Sequence, residues 1–115
     1  MNIINQKDLI EHIEGDLELL RDAFELFTDE KTTMKAELQA AIDSNDVDAA
    51  RSAAHSIKGM LSNFLAESAC ETAGQIQEIA SGQTLEGIPQ LSQQLSEQMN
   101  QDETELSQML DSAGR

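Results

Sequence analysis

His55, Lys58 and Gly59 are the residues of this chain whose types and spacing could do chemistry together. An imidazole titrates near pH 6.5 when unperturbed, so its neutral form is an available nucleophile at about pH 7. Lys58, three residues on, stands one helical turn away and offers a flexible cation, able to offset the charge of about −2 on a phosphoryl group. Gly59 costs about 1 kcal/mol relative to alanine inside a helix, and its missing side chain opens an approach to the ring. The i±3 and i±4 neighbours of His55 are Arg51, Ser52, Lys58 and Gly59, with Ser62 a further turn along. None of them is a large apolar residue, so the face is suited to a protein partner.

A helix must hold that face outward. At about 100° per residue, the stripe of Val47, Ala50, Ala54, Ile57, Leu61 and Phe64 points about 130° away from His55, which therefore faces water. This helix, the third of five segments, starts after the capping residues Asn45-Asp46 and ends near Leu65 or Ala66. Before it come a short segment with Leu9, Ile10 and Ile13, stopping at Gly15, and a long one from about Asp16 to Ser44. The long one carries Leu17, Leu20, Phe24, Phe27, Met34, Leu38 and Ala41 at steps of three and four. Ser68-Ala69-Cys70-Glu71 fits a capping box that opens a fourth helix with Ala69, Ala73, Ile76 and Ala80, closed by Gly82. Pro89 sits in the first turn of the last helix, lined by Ile88, Leu91, Leu95, Met99, Leu106 and Met109. Asp102 interrupts that stripe. These segments predict an all-α fold, an antiparallel up-down-up-down four-helix bundle with a short extra N-terminal helix capping one end.

Composition narrows the function. The chain has 115 residues, the usual size of one domain, so residues 1–115 are read as a single helical domain. Seven Lys+Arg against 22 Asp+Glu leave a net charge of −15. No Lys or Arg occurs between Lys58 and Arg115, which speaks against nucleic acid and against an anionic membrane surface. Cys70 is the only cysteine, so no internal disulfide forms and no Cys-rich zinc site is built. No apolar stretch is long enough to span a membrane and the start lacks a signal-peptide pattern, which predicts a cytoplasmic protein.

Ala54-His55-Ser56-Ile57-Lys58-Gly59 resembles the A-H-x-[hydrophobic]-K-G core of the histidine-containing phosphotransfer (HPt) domains of bacterial multistep phosphorelays. Asn63-Phe64 followed by Ala66 resembles that family's continuation, and the helix order agrees along nearly the whole chain. The resemblance implies reversible phosphoryl transfer between Nε2 of His55 and the aspartyl phosphate of response-regulator receiver domains, in a relay fed by a hybrid sensor histidine kinase. It also implies a polar residue on the next helix that bonds the phosphoryl group; spacing selects Gln77, with Gln75 as runner-up. Lys58 would stabilise charge, Gly59 would give access, and Arg51, Ser52 and Ser62 would belong to the partner face. The chain shows none of the common nucleotide-binding signatures, so it reads as a monomeric phosphocarrier without a cofactor of its own, with Mg2+ supplied by the receiver. Two positions depart from the family pattern: Met60 replaces a small residue after K-G, and Leu65 replaces the Gly before Ala66. Leu65 lies within about 50° of the stripe direction, so its expected effect is on packing.

Two readings of other classes stay open. One is an acidic helical adaptor or inhibitor, a pseudo-HPt module in which charge selects the partner and His55 has no chemistry. The other is a metal-dependent bundle enzyme, which needs Glu-x-x-His motifs; the positions three before His12 and His55 hold Leu9 and Ser52, so no metal site is expected. His12 has no lysine at the matching offset and reads as a surface histidine. The few residues between Met1 and the first helix favour a free-standing carrier over a domain excised from a hybrid kinase.

Overall fold

The computed structural model describes Ile4 and residues 6–113; Met1, from which the short lead was counted, lies outside the described residues. Five helices follow in order: α1 (Gln6–His12), α2 (Leu17–Asp43), α3 (Val47–Ser62), α4 (Glu67–Ser81) and α5 (Ile88–Ala113). Helix α2 packs on α3 and α5, α3 on α4, and α4 on α5, closing the ring of an up-down-up-down bundle. Among the described residues there is no strand, and the expected fold class holds.

The apolar stripes meet as expected. Leu20, Phe27, Leu38, Ile57, Leu61, Phe64, Ile76, Leu95, Met99 and Leu106 are all buried. Phe27 and Phe64 form the aromatic centre, with ring centroids 5.5 Å apart and planes tilted by 45°. At about 1.5 Å per residue, α2 and α5 run well past the α3–α4 hairpin. Leu9 of α1 and Ile13 just after it are buried in the shared core at that end, and the N–H of Ile4 donates to Oε2 of Glu105 on α5 at 3.0 Å. Ile10, counted with the apolar residues of the first helix, is 38% exposed and stands outside the core.

Helix starts are set by two aspartates. The Asp16 side chain accepts from the Leu19 N–H and the Asp46 side chain from the Ala49 N–H, each at 3.0 Å. Helix ends are set by residues in the left-handed region. Glu14, Asn45 and Leu65 have φ of 55°, 56° and 54°. At each, the next N–H reaches back five residues: Gly15 to Ile10, Asp46 to Ala41, Ala66 to Leu61.

That turn at Leu65 corrects two expectations. Helix α3 stops at Ser62, earlier than Leu65 or Ala66, because residues 63–65 are already used to reverse the chain. Helix α4 begins at Glu67 with Ala66 as its cap and no side-chain capping bond, so Ser68-Ala69-Cys70-Glu71 lies inside the helix and makes no capping box. The Ser68 carbonyl instead accepts from the Thr72 hydroxyl at 3.1 Å. Leu65 also explains the family's glycine at its position, since only glycine adopts φ of +54° without a Cβ penalty. At the end of α4, Gly82 is the cap at φ −82°, and the left-handed residue is Gln83.

Candidate functional site

The outward face of α3 carries Arg51, Ser52, His55, Lys58, Gly59 and Ser62, all exposed. The helix buries Ala50, Ala54, Ile57 and Leu61 on its other side, which fixes His55 toward solvent. In a chain with 22 acidic residues, the run from Ala49 to Ala66 contains no Asp or Glu. On this helix face the carboxylate nearest His55 is Asp48, two turns away and beside Arg51, so an incoming anion meets the ring without an adjacent acidic group on α3.

Helix α4 contributes the second side. Gln77 is half-buried at the α3–α4 seam, and its Nε2 lies 3.3 Å from Nδ1 of His55 in a hydrogen bond. The expected pair is thus brought together, through the ring nitrogen nearer the backbone. Gln75 is exposed and, two residues earlier at about 100° each, points away from that seam.

Lys58 is in no ion pair among the described residues. Its aliphatic stem crosses toward α4, where a Cβ built on Gly74 would stand 3.7 Å from Nζ and 3.9 Å from Cε. A Cβ built on Gly59 meets nothing within 4 Å, so that glycine is not needed for internal packing. Ser62 turns its hydroxyl back to the Lys58 carbonyl at 2.8 Å. Arg51 reaches only its own helix, 3.9 Å from Asp48. Met60 is half-buried against the core and so turns away from the rim of the His55 face.

Ser52 and Ser56, on either side of His55 in sequence, open a shallow hollow of about 430 Å³ toward Glu37 and Ala40 of α2 and its C-cap Ser44. A larger hollow of about 520 Å³ lies on the α2–α5 seam around Lys35, Gln39 and Ser92 and includes none of the residues of the His55 face. Beneath Lys58, the half-buried Cys70 thiol donates to the Lys58 carbonyl at 3.7 Å and contacts the Ser62 hydroxyl at 3.8 Å. Burial pushes that thiol above its usual range, against the opposing hydrogen bond from Ser62.

Sequence reasoning missed Gly74. The available signal was a second glycine inside a helical pattern, but its neighbour across the seam is sixteen residues away and only the fold names it. His12 lies exposed at the last turn of α1. Among the described residues, no three His, Cys, Asp or Glu side chains converge to hold a metal ion. No helix is long and apolar enough to cross a membrane among them either.

No curated protein and no solved structure matches the chain. A family model described as Hpt domain matches residues 6–113. Hpt domains carry phosphoryl groups on histidine in phosphorelays, between receiver domains and kinases, as carrier modules rather than self-contained enzymes. With its helix order, its outward histidine and a match spanning all five helices, the chain belongs to the Hpt domain family.

Proposed function

We propose that His55 is the phosphoacceptor of a cytoplasmic phosphorelay intermediate, and that residues 1–115 act as one phosphotransfer unit. The observation that carries this reading is an exposed imidazole whose Nδ1 is engaged by Gln77, with no hydrogen bond at Nε2 among the described residues. A side-chain amide offers a donor or an acceptor by a half-turn. With Oε1 toward the ring, Gln77 accepts the Nδ1–H and the lone pair resides on Nε2. That nitrogen attacks the phosphorus of a receiver's aspartyl phosphate in line. The Nε2–P bond forms as the acyl P–O bond breaks, and the aspartate carboxylate leaves. The reverse step, with a second receiver's aspartate as nucleophile, passes the group on.

Each neighbour then has a role. The Lys58 ammonium offsets negative charge on the phosphoryl oxygens, Gly59 lets the receiver's acidic pocket reach the ring, and Gln77 orients the ring and can turn to a bound phosphoryl oxygen. Arg51, Ser52 and Ser62 lie in the partner's footprint. Mg2+ belongs to the receiver, and the phosphoryl group originates on a hybrid sensor histidine kinase.

The test is exposure of wild type and His55→Gln to a phosphorylated receiver. Wild type should take up label that is lost in acid and survives alkali, as a phosphorus–nitrogen bond requires. His55→Gln should take up none while melting within about 0.5 kcal/mol of wild type, because the removed ring is exposed. A wild-type chain that binds the receiver and accepts no label would establish the adaptor reading instead.

A further inference from the structure

Two glycines flank the His55 face, and they differ. Gly59 on α3 looks into open space, whereas Gly74 on α4 lies under the end of the Lys58 side chain, with its Cβ position 3.7 Å from Nζ. Gly74 does not have a positive φ, so backbone geometry does not call for glycine there. A glycine inside a helix is destabilising relative to alanine, yet this one sits mid-helix in α4. What its missing side chain supplies is a bare stretch of helix on which a long lysine can rest.

The position matters because of what lies one turn further along. Gln77, three residues after Gly74 and on the same edge of α4, bonds His55. The ammonium of Lys58 and the ring of His55 are therefore laid against neighbouring turns of one helix edge. An exposed lysine normally sweeps many rotamers, and ordering it on arrival of the phosphoryl group would take up part of the interaction. Among the described residues no carboxylate pairs with Lys58 and draws it elsewhere.

We infer that Gly74 is a positioning residue for phosphotransfer: the absence of a long side chain there lets the Lys58 ammonium seat beside His55 before the phosphoryl group arrives. This rests on the reading of His55 as phosphoacceptor. An alanine at Gly74 fits, because 3.7 Å is ordinary contact, whereas a longer side chain occupies the volume of Lys58 and sends the ammonium to solvent.

The experiment uses the full chain and phosphoramidate as donor, a small molecule whose reaction needs no docking surface. Rates of acid-labile labelling are compared for wild type, Gly74→Ala, Gly74→Gln, Gly74→Leu, Lys58→Ala and the Gly74→Gln/Lys58→Ala double variant, with helical content and melting checked for each. Gly74→Ala should react within about twofold of wild type, while Gly74→Gln, Gly74→Leu and Lys58→Ala should each slow by about tenfold, the size of one partly screened charge contact. The double variant should be no slower than Lys58→Ala alone, because both changes remove the same ammonium. A folded Gly74→Gln at the wild-type rate, or losses that multiply in the double variant, would overturn the inference while leaving His55 in place. Absence of label on wild-type His55 would overturn the functional reading beneath it.

Discussion

Two seams of the bundle, the long α2–α5 seam and the shorter α3–α4 seam, each set lysine against a neighbouring helix, and they treat it in opposite ways. On the α2–α5 seam, Lys31 donates to Oδ1 of Asn100 at 2.9 Å and pairs with Glu103 at 3.0 Å, while Lys35 donates to the same Asn100 oxygen at 2.8 Å. Lys31 keeps only 13% of its side chain exposed. Burial, with Lys31 adding to it and Glu103 opposing, holds the Lys35 ammonium below the usual lysine range. On the α3–α4 seam, Lys58 is exposed, rests on Gly74 and is in no ion pair among the described residues. A cation whose donors are satisfied within the fold is a fastener between helices. A cation left on a bare edge of the helix that also bonds the exposed His55 is available to an anion that comes from outside.

The comparison can be broken most forcefully at Gly59, where the open side depends on an absent side chain. Gly59→Gln should reduce transfer from a phosphorylated receiver by a hundredfold or more by obstructing approach, while Gly59→Ala should stabilise the chain by up to about 1 kcal/mol. Measured single-turnover rates that stay the same for Gly59→Gln would remove the access argument. Next in size is the lysine pair. Lys58→Ala should slow receiver transfer by about tenfold to a hundredfold at unchanged melting temperature, with Lys58→Arg recovering part of the rate. Lys31→Ala should do the reverse, leaving transfer untouched and lowering stability by about 1–2 kcal/mol, because Glu103 and Asn100 lose a mostly buried partner. Equal transfer rates for Lys58→Ala and Lys31→Ala would erase the distinction between the seams.

The smallest effect concerns Cys70, below Lys58. Its folded-state pKa is raised above the unfolded value, so the folded chain keeps the thiol proton longer. The stability this confers is present below about pH 9 and is lost as pH rises through the folded value. Urea midpoints from pH 8 to 11 should fall more for wild type than for Cys70→Ala; parallel curves would mean that the thiol titrates alike in both states.

Much of the fold was legible because helical periodicity is written locally. Leu20, Phe27, Leu38, Ile57 and Leu61 mark their stripes at steps of four, seven or eleven, all whole numbers of helical turns to within a fraction of a residue, and all five are buried. Helix ends were harder to read, because a reversal at Leu65 places a non-glycine residue at φ 54° and no residue type announces it. The capping-box motif at Ser68 matched in letters and failed in structure for that reason. At the site, His55, Lys58 and Gly59 were legible because they share one helix face, and Gln77 was reachable by spacing once the resemblance asked for a polar residue on the next helix. Gly74 was not, since the lysine that lies over it belongs to another helix. Nor were the Lys31 and Lys35 bonds to Asn100, which join residues 69 and 65 positions apart. Asp102 was seen to interrupt the last stripe, yet its burial within that stripe depends on how α5 meets the rest of the bundle.

The central claim is that Nε2 of His55 carries the phosphoryl group while Nδ1 remains with Gln77. The most direct measurement is heteronuclear NMR of the phosphorylated, ring-nitrogen-labelled protein, reading which imidazole nitrogen couples to phosphorus. The account predicts coupling to Nε2 of His55 alone, with the His12 ring unmodified. Phosphorus bound to Nδ1 of His55, to His12, or to a hydroxyl oxygen would contradict it.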